Sequence, residues 1–492
     1  MPDASITGTN PTTPAMAVKR RSGTAIVAGI VIAAILAVAS VFLFRAATGP
    51  DPIAARVPAS VSTYIQVTLQ PSIAQKRLLR DLVDQLPGGR DRVEASLDTV
   101  IEQVLTRVGL DLEVDGVRGW VGDQVAAVTW NASSFFVAHA TDLTLAQRAV
   151  DEINAGHEAV ASLSAGFVTI GGNDASIFGN FLSAAHESPL SRDKPFKAAR
   201  ARVGGDGVLL VRASAADAIA GFGPLGLPGG SALTPSGIPE GNIVAGAQFV
   251  DGGLKVSFAE ESMLVDRPLP ASDDLALAHE LAEHAHGVFG FNDLASLLRE
   301  ALVLAPPEAV TSFESEYGLD LEEDVLSWLG DEVAFRVVNF GDDEHHATIV
   351  VQASDEEAMR SFVQTVRGFL AIAPLDGVRV SGTDDDSFRV RAGGFVADVS
   401  IDGGRLTIEM ASRNATTTNN EAPAIAGLPE LASFAGAVNI DVIEDETPFG
   451  DLFAADGPLG AYGPALETVG VAAVREGSGP VFSFTLLFKD AA

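Results

Sequence analysis

One uncommon phrase is written twice in this chain. Residues 109–126 read GLDLEVDGVRGWVGDQVA, and residues 318–335 read GLDLEEDVLSWLGDEVAF. An internal copy constrains the fold more than any single residue can, because like segments build like local structures and the architecture must house both. In the second copy, Gly318 suits the C′ position of a preceding helix, where φ > 0 is required. Asp320 then caps a short helix, with Glu323 as its capping-box partner. Trp328 and Leu329 lie on the buried stripe of that helix, Gly330 stops it, and Asp331 leads into the strand EVAFRVVNF. The first copy follows the same plan. Gly109 closes a helix over 90–108, Asp111 caps, Trp120 packs, Gly122 stops, and Asp123 leads into QVAAVTW. The phrase is a helix–turn–helix–turn–strand connector, so its residues shape backbone before they suggest chemistry.

Other landmarks recur in the same order. A short strand and a helix precede each connector: TYIQVTL with IAQKRLLRDLV, then GVFGFN with LASLLREALVL. A second strand and a capped amphipathic helix follow it, FFVAHA with Thr141 and LTLAQRAVDEI, then TIVVQA with Ser354 and MRSFVQTVRGFL. Each half closes with a hairpin, VAGAQFV-DGG-LKVSF and VAAVR-EGSG-PVFSFTLLF, in which Gly-bearing turns separate alternating runs. The fold expected is α+β, in two pseudo-repeats over 58–265 and 266–492, each an antiparallel-rich sheet with helices on one face. A competing signal sits in GVFGF and VFSFTLLF. Both faces of those strands read apolar, which suits a sheet covered on both sides or one lining a cavity.

Ahead of the repeats, residues 24–44, TAIVAGIVIAAILAVASVFLF, carry no charge. As a helix they span roughly 31 Å at about 1.5 Å per residue, the thickness of a bilayer core. Lys19, Arg20 and Arg21 stand before the run and Arg45 alone after it. That asymmetry places the 1–23 tail in the cytoplasm and the body outside. Ala37-Val38-Ala39 resembles an export cleavage site, but the apolar run continues through Phe44, which favours an uncleaved signal-anchor. Residues 45–57 form a tether reaching at most about 40 Å.

The anchored N-terminus, the strand–helix openings and the paired GLDLExD…WxGDxVA phrases together resemble the bacterial domain-of-unknown-function family 3352. The resemblance spans most of residues 58–490. It implies an envelope location and a duplicated α+β body, and it implies no catalytic residues.

Composition narrows the chemistry further. The chain of 492 residues has no cysteine, so disulfides, thiolate metal sites and cysteine nucleophiles are excluded. Beyond Arg45, 28 basic residues face 64 acidic ones. Nucleic acid is therefore not an expected partner, since phosphate contacts require clustered Lys and Arg.

The weak metal candidates are His279, His284 and His286, in HELAEHAH, and the run Asp384-Asp385-Asp386. A zincin helix needs His at i and i+4, and here the second His falls at i+5. The acidic run lacks the spaced oxygens of a calcium loop. Gly221–Gly226 matches G-x-G-x-x-G without the strand and helix that a dinucleotide site requires. Asp123 and Asp331, brought together by pseudo-symmetry, would make a paired-acid site, although anchoring a turn explains each of them.

The expected reading is a non-catalytic envelope protein with no cofactor. It holds the lipid bilayer through residues 24–44 and binds or organises an envelope partner. The first alternative is a carrier or sensor of an apolar, lipid-like ligand held between the repeats. It draws on 26 Phe against three Tyr and three Trp. The second alternative is a metal-dependent hydrolase.

Overall fold

The computed structural model describes residues 52–69, 72–85, 117–214, 241–261, 273–339, 346–412, 424–440 and 465–489. Short breaks fall at 118, 158, 205–206, 305–309, 313, 316–317, 331, 373–377, 383, 393 and 477–478. The anchor at 24–44, Gly109, Asp111, Asp331 and the Gly221–Gly226 run lie outside the described residues. Among those described, no helix is long and apolar enough to cross a membrane.

The first half runs β1 (Thr63–Thr68), α1 (Ile73–Gln85), β2 (Val121–Trp130), β3 (Ser133–Ala140), α2 (Leu143–Gly156), β4 (Ala159–Ser164), β5 (Phe167–Gly172), α3 (Ala175–Glu187), α4 (Lys194–Arg202), β6 (Leu209–Ser214), β7 (Asn242–Val250) and β8 (Gly253–Glu260). The second half runs β9 (Asp273–Asp274), α5 (Ala276–Ala282), β10 (Gly287–Asn292), α6 (Leu294–Leu304), a π-helical turn (Leu321–Leu326), β11 (Glu332–Asn339), β12 (His346–Gln352), α7 (Glu356–Ile372), β13 (Arg379–Ser381), β14 (Ser387–Ala392), β15 (Phe395–Asp402), β16 (Arg405–Ser412), β17 (Leu431–Ala432), β18 (Phe434–Asn439), β19 (Leu466–Glu476) and β20 (Gly479–Phe488). The closing hairpins expected from sequence are β7–β8 and β19–β20. The chain is α+β, with a large antiparallel sheet.

That sheet is continuous through both halves. From the strand pair at its middle, the first half runs outward β8, β7, β6, β1, β2, β3, β5, β4. The second half runs outward β20, β19, β18, β10, β11, β12, β16, β15, and then adds β14 and β13. Each strand of the first half has a counterpart at the same place in the second. The halves meet where β8 pairs antiparallel with β20, from Phe258 opposite Phe482 to Gly253 opposite Leu487. An antiparallel seam between equivalent strands relates the two halves by a rotation about an axis normal to the sheet. That rotation keeps equivalent helices on one face: α1 and α2 in the first half, α6 and α7 in the second.

The expectation of helices on one face only is overturned. Alternate residues of β2 enter two different cores. Val125 and Ala127 pack with Leu79 of α1 and Val150 of α2, while Ala126 and Val128 pack with Phe181 of α3 and Phe196 of α4. In the second half, Val333 and Val351 pack with Met359 and Val363 of α7, and Ala334 and Val350 pack with Leu277 and Leu281 of α5. The apolar character on both faces of GVFGF and of most of VFSFTLLF agrees with this cover, because a strand buried on both sides cannot alternate apolar with polar; Phe482 alone in the second stretch stays half-exposed. The two halves reach this cover differently. The first inserts α3 and α4 between β5 and β6, and the second places α5 ahead of β10.

Candidate functional site

The twin connectors answer first whether the repeated phrase carries chemistry. Trp120 and Trp328 are both buried. The Trp120 carbonyl accepts from the Thr141 backbone N–H at 2.9 Å and its hydroxyl at 3.4 Å. The Trp328 carbonyl accepts from the Ser354 N–H at 3.0 Å and its hydroxyl at 3.2 Å. Each indole joins a core with the residues four and eight positions after a capping aspartate, Ala146 and Val150 after Asp142, Met359 and Val363 after Asp355. The glycine two residues after each tryptophan makes room for that hydroxyl residue. A Cβ on Gly330 would sit 2.5 Å from the Ser354 Cβ, and one on Gly122 would sit 3.0 Å from Thr141 Cγ2. The connectors are architectural.

Three details differ from the sequence reading. The helix caps are Asp142, which accepts from Thr144 N–H and Leu145 N–H at 2.9 and 3.0 Å, and Asp355, which accepts from Ala358 N–H at 3.0 Å. Thr141 and Ser354, one residue earlier, are spent on the tryptophan carbonyls. In the second connector Asp320 accepts from Glu322 N–H and Glu323 N–H as expected, at 3.0 and 2.9 Å. Its own N–H, however, is satisfied by Asp324 Oδ2 at 2.7 Å rather than by Glu323, because the turn is π-wound and brings position i+4 back. Gly318 does hold the left-handed conformation, with φ of 64°.

The titratable groups singled out in the sequence are engaged one by one. Among the described residues Asp123 meets no second acid; its Oδ1 lies 2.6 Å from His139 Nδ1 across the β2–β3 ladder. Gly330, at the end of the other connector, leads into β11, and eight strands stand between β2 and β11 in the sheet. His279 Nε2 lies 3.2 Å from the Pro429 carbonyl, His284 is exposed, and burial pushes the His286 imidazole below its ordinary value. The acidic run is clamped by α7. Arg360 pairs with Asp386, and Arg367 donates to the Asp384 carbonyl at 2.9 Å and the Gly382 carbonyl at 2.9 Å. Among the described residues, no group of three or more His, Asp or Glu side chains could hold a metal ion.

Sequence reasoning missed the long-range polar pairs, some buried and some exposed, that tie elements together. Arg212 forks onto both carboxylate oxygens of Glu261, at 2.5 and 2.8 Å, and also donates to the Val61 carbonyl. Glu332, which follows the repeated W-x-G-D, accepts from Leu277 N–H at 2.9 Å and Ala278 N–H at 3.1 Å, capping α5 from the sheet. Arg405 donates to both oxygens of Glu280, which holds that carboxyl below its ordinary range. Beyond α5 the sheet carries a cross-strand row, Arg336, Thr348, Glu409, Asp398 and Arg389, one residue from each of five adjacent strands. No local motif signals such pairs, because their members lie far apart in the chain.

Burial of Glu332 raises its carboxyl above the ordinary value, outweighing its two backbone hydrogen bonds. The folded state therefore holds this proton more tightly than the unfolded chain. Stability from this group is fully present below about pH 4.3, the unfolded value, and is lost as pH rises through the higher native value. Denaturant midpoints measured from pH 4 to 7 should show wild type losing stability relative to Glu332→Gln as pH rises. Parallel curves would exclude the effect.

The joint between the halves is the remaining candidate site. On the face that carries α1 and α6, a cross-strand row runs Phe258, Phe482, Ala473, Phe434 and Phe291 through β8, β20, β19, β18 and β10. Phe434 and Phe291 touch, with ring centroids 4.7 Å apart, and Phe291 meets Phe335 edge-on at 5.9 Å. Here the pseudo-symmetry breaks. The turns Val250–Gly253 and Glu476–Gly479 correspond, which makes Phe482 the counterpart of Val256. Val256 is 8 % exposed and Phe482 is 51 % exposed. The first half buries this position in the core beneath α1, and the second half leaves a phenyl ring at the surface.

No family model matches the chain, and no curated protein matches it. Two solved structures of TP0453, in crystal forms IV and III, align with 44 % and 45 % of this chain and 81 % of theirs, at 12 % and 13 % identity. Their TM-score of 0.24 is too low to support an argument from either.

Proposed function

We propose that the chain is a single-pass, membrane-anchored envelope protein whose body, outside the cytoplasm, binds a partner or ligand without transforming it. The charge-free run at 24–44 with its basic N-terminal flank supports the anchor and orientation, and the paired W-x-G-D phrases support the kinship with family 3352. The binding role rests on one observation, the half-exposed Phe482 at the joint where its pseudo-symmetric counterpart is buried. An exposed phenyl ring among aromatic neighbours gains by being covered, and an aromatic anchor is the commonest centre of a binding surface. Among the described residues, the tryptophan connectors and the paired charged groups have structural roles.

In intact cells, a photoreactive amino acid at position 482 should give a discrete adduct that the same group at the exposed Arg391 position does not. Identical, adduct-free patterns from both positions would remove the binding role. An export-dependent reporter enzyme fused after Lys489 should be active, and a silent one would reverse the orientation.

A further inference from the structure

We infer that the second half binds a small oxyanion, a carboxylate or a phosphate, at Arg336 and His286 on the sheet face that carries α5. The site does not draw on Phe482, so it stands or falls apart from the binding role proposed above. The two halves treat one place in the sheet in opposite ways. In the first half a cross-strand row runs Val128, Phe135, Gly171 and Val160 through β2, β3, β5 and β4. Helix α3 closes over it. Phe181 stacks on Phe135 with ring centroids 4.0 Å apart, and a Cβ on Gly171 would sit 2.9 Å from Phe135 and 3.0 Å from Phe178. The corresponding row of the second half, which has the same registers, is Arg336, Thr348, Glu409 and Asp398 through β11, β12, β16 and β15. Among the described residues, no helix follows β16 to take the place of α3. All four apolar or glycine positions have become polar or charged. Thr348 is nevertheless only 2 % exposed, so the change puts polar groups where water is scarce.

Arg336 is the centre of this place. It donates from Nη2 to Thr348 Oγ1 at 3.0 Å, but its Nε is buried with no partner among the described residues, as is Nδ1 of His286. His286 stands two residues before Val288, which faces Arg336 across the β10–β11 ladder, so both side chains project from one face. Burial holds the Arg336 guanidinium below its ordinary value, and the nearby Glu409 and Glu280 offset this only in part. Burial lowers the His286 imidazole as well. A guanidinium N–H can only donate, and a buried donor left unspent is costly. An oxyanion meets that need with charge as well as a hydrogen bond. The acidic body does not forbid it, because salt screens its long-range field beyond about 8 Å at physiological ionic strength, and hydrogen-bonded contacts are much shorter.

The test is calorimetric titration of the full chain with sodium phosphate, and separately with sodium acetate, at fixed ionic strength. A saturable heat with one ion per chain is expected from at least one of them. Phosphate alone would name a phosphate ligand, and acetate binding would name a carboxylate. Arg336→Met should weaken the binding about tenfold or more, the worth of a hydrogen bond to a charged group. His286→Asn should weaken it too, and Glu409→Gln, which removes a neighbouring negative charge, should tighten it. No saturable heat from either salt in wild type overturns the proposal and leaves water as the partner of Arg336 Nε. Affinity unchanged in Arg336→Met marks an adventitious ion only and overturns it as well. Should Arg336→Met not fold, unchanged affinity in both other variants decides against the site equally.

Discussion

Arg212→Met is expected to destabilise the protein by about 3–5 kcal/mol, the usual cost of removing one partner from a buried ion pair. Arg212 and Glu261 are 5 % and 7 % exposed, so the abandoned carboxylate cannot turn to water. The guanidinium joins three segments that are distant in sequence: the entry to β1 through the Val61 carbonyl, β6 on which it sits, and the residue just past β8. Asn242 donates to Glu261 Oε2 at 2.9 Å, so one hydrogen bond would remain while two charge-assisted ones are lost. The double variant Arg212→Met with Glu261→Leu should recover most of the loss, because removing both charges removes the desolvation cost as well. Denaturant melts of the three variants decide it. A single-variant loss below about 1 kcal/mol would mean that the pair is solvated.

Trp120→Ala and Trp328→Ala should each cost about 3–5 kcal/mol, the range for truncating a buried tryptophan, and should do so by similar amounts. Each indole lies over the same two positions of an equivalent helix, and each main chain is held by an equivalent hydroxyl residue. Trp328 has an additional bond, from Nε1 to the Asp324 carbonyl at 2.8 Å, and stacks obliquely on Phe362 at 5.3 Å. Its loss should therefore be the larger of the two. The sites lie many strands apart with no shared partner, so the double variant should show additive losses within about 0.5 kcal/mol. A large loss at one tryptophan and none at the other would break the equivalence of the repeats.

The repeat was legible in the sequence because it is written in short-range rules. Gly318 needed its positive φ, Asp320 its two orphan N–H groups, and the closing hairpins their Gly-bearing turns, each readable within a few residues. The errors lie where those rules compete. Thr141-Asp142 and Ser354-Asp355 each offer two adjacent capping residues, and tertiary contact with the tryptophan carbonyl decides that the aspartate caps. The helices on the second face were hidden for another reason. Apolar residues on both sides of a strand report double burial but do not say which segment supplies the cover, and the halves use different segments. The joint was the least legible feature. Phe482 reads as one more apolar residue in VFSFTLLF, and nothing within a few residues of it marks the half-exposed ring off from its buried neighbours.

The antiparallel β8–β20 contact also fixes an order of events during synthesis. Every residue between 260 and 479 must be made before β8 acquires its neighbour on that side. Until then the first half presents an open strand edge with unspent backbone N–H and C=O groups, a template for pairing with other chains. Cells making this protein should therefore need something to shield that edge, and C-terminal truncations that lose β20 should aggregate even when the first half is otherwise intact.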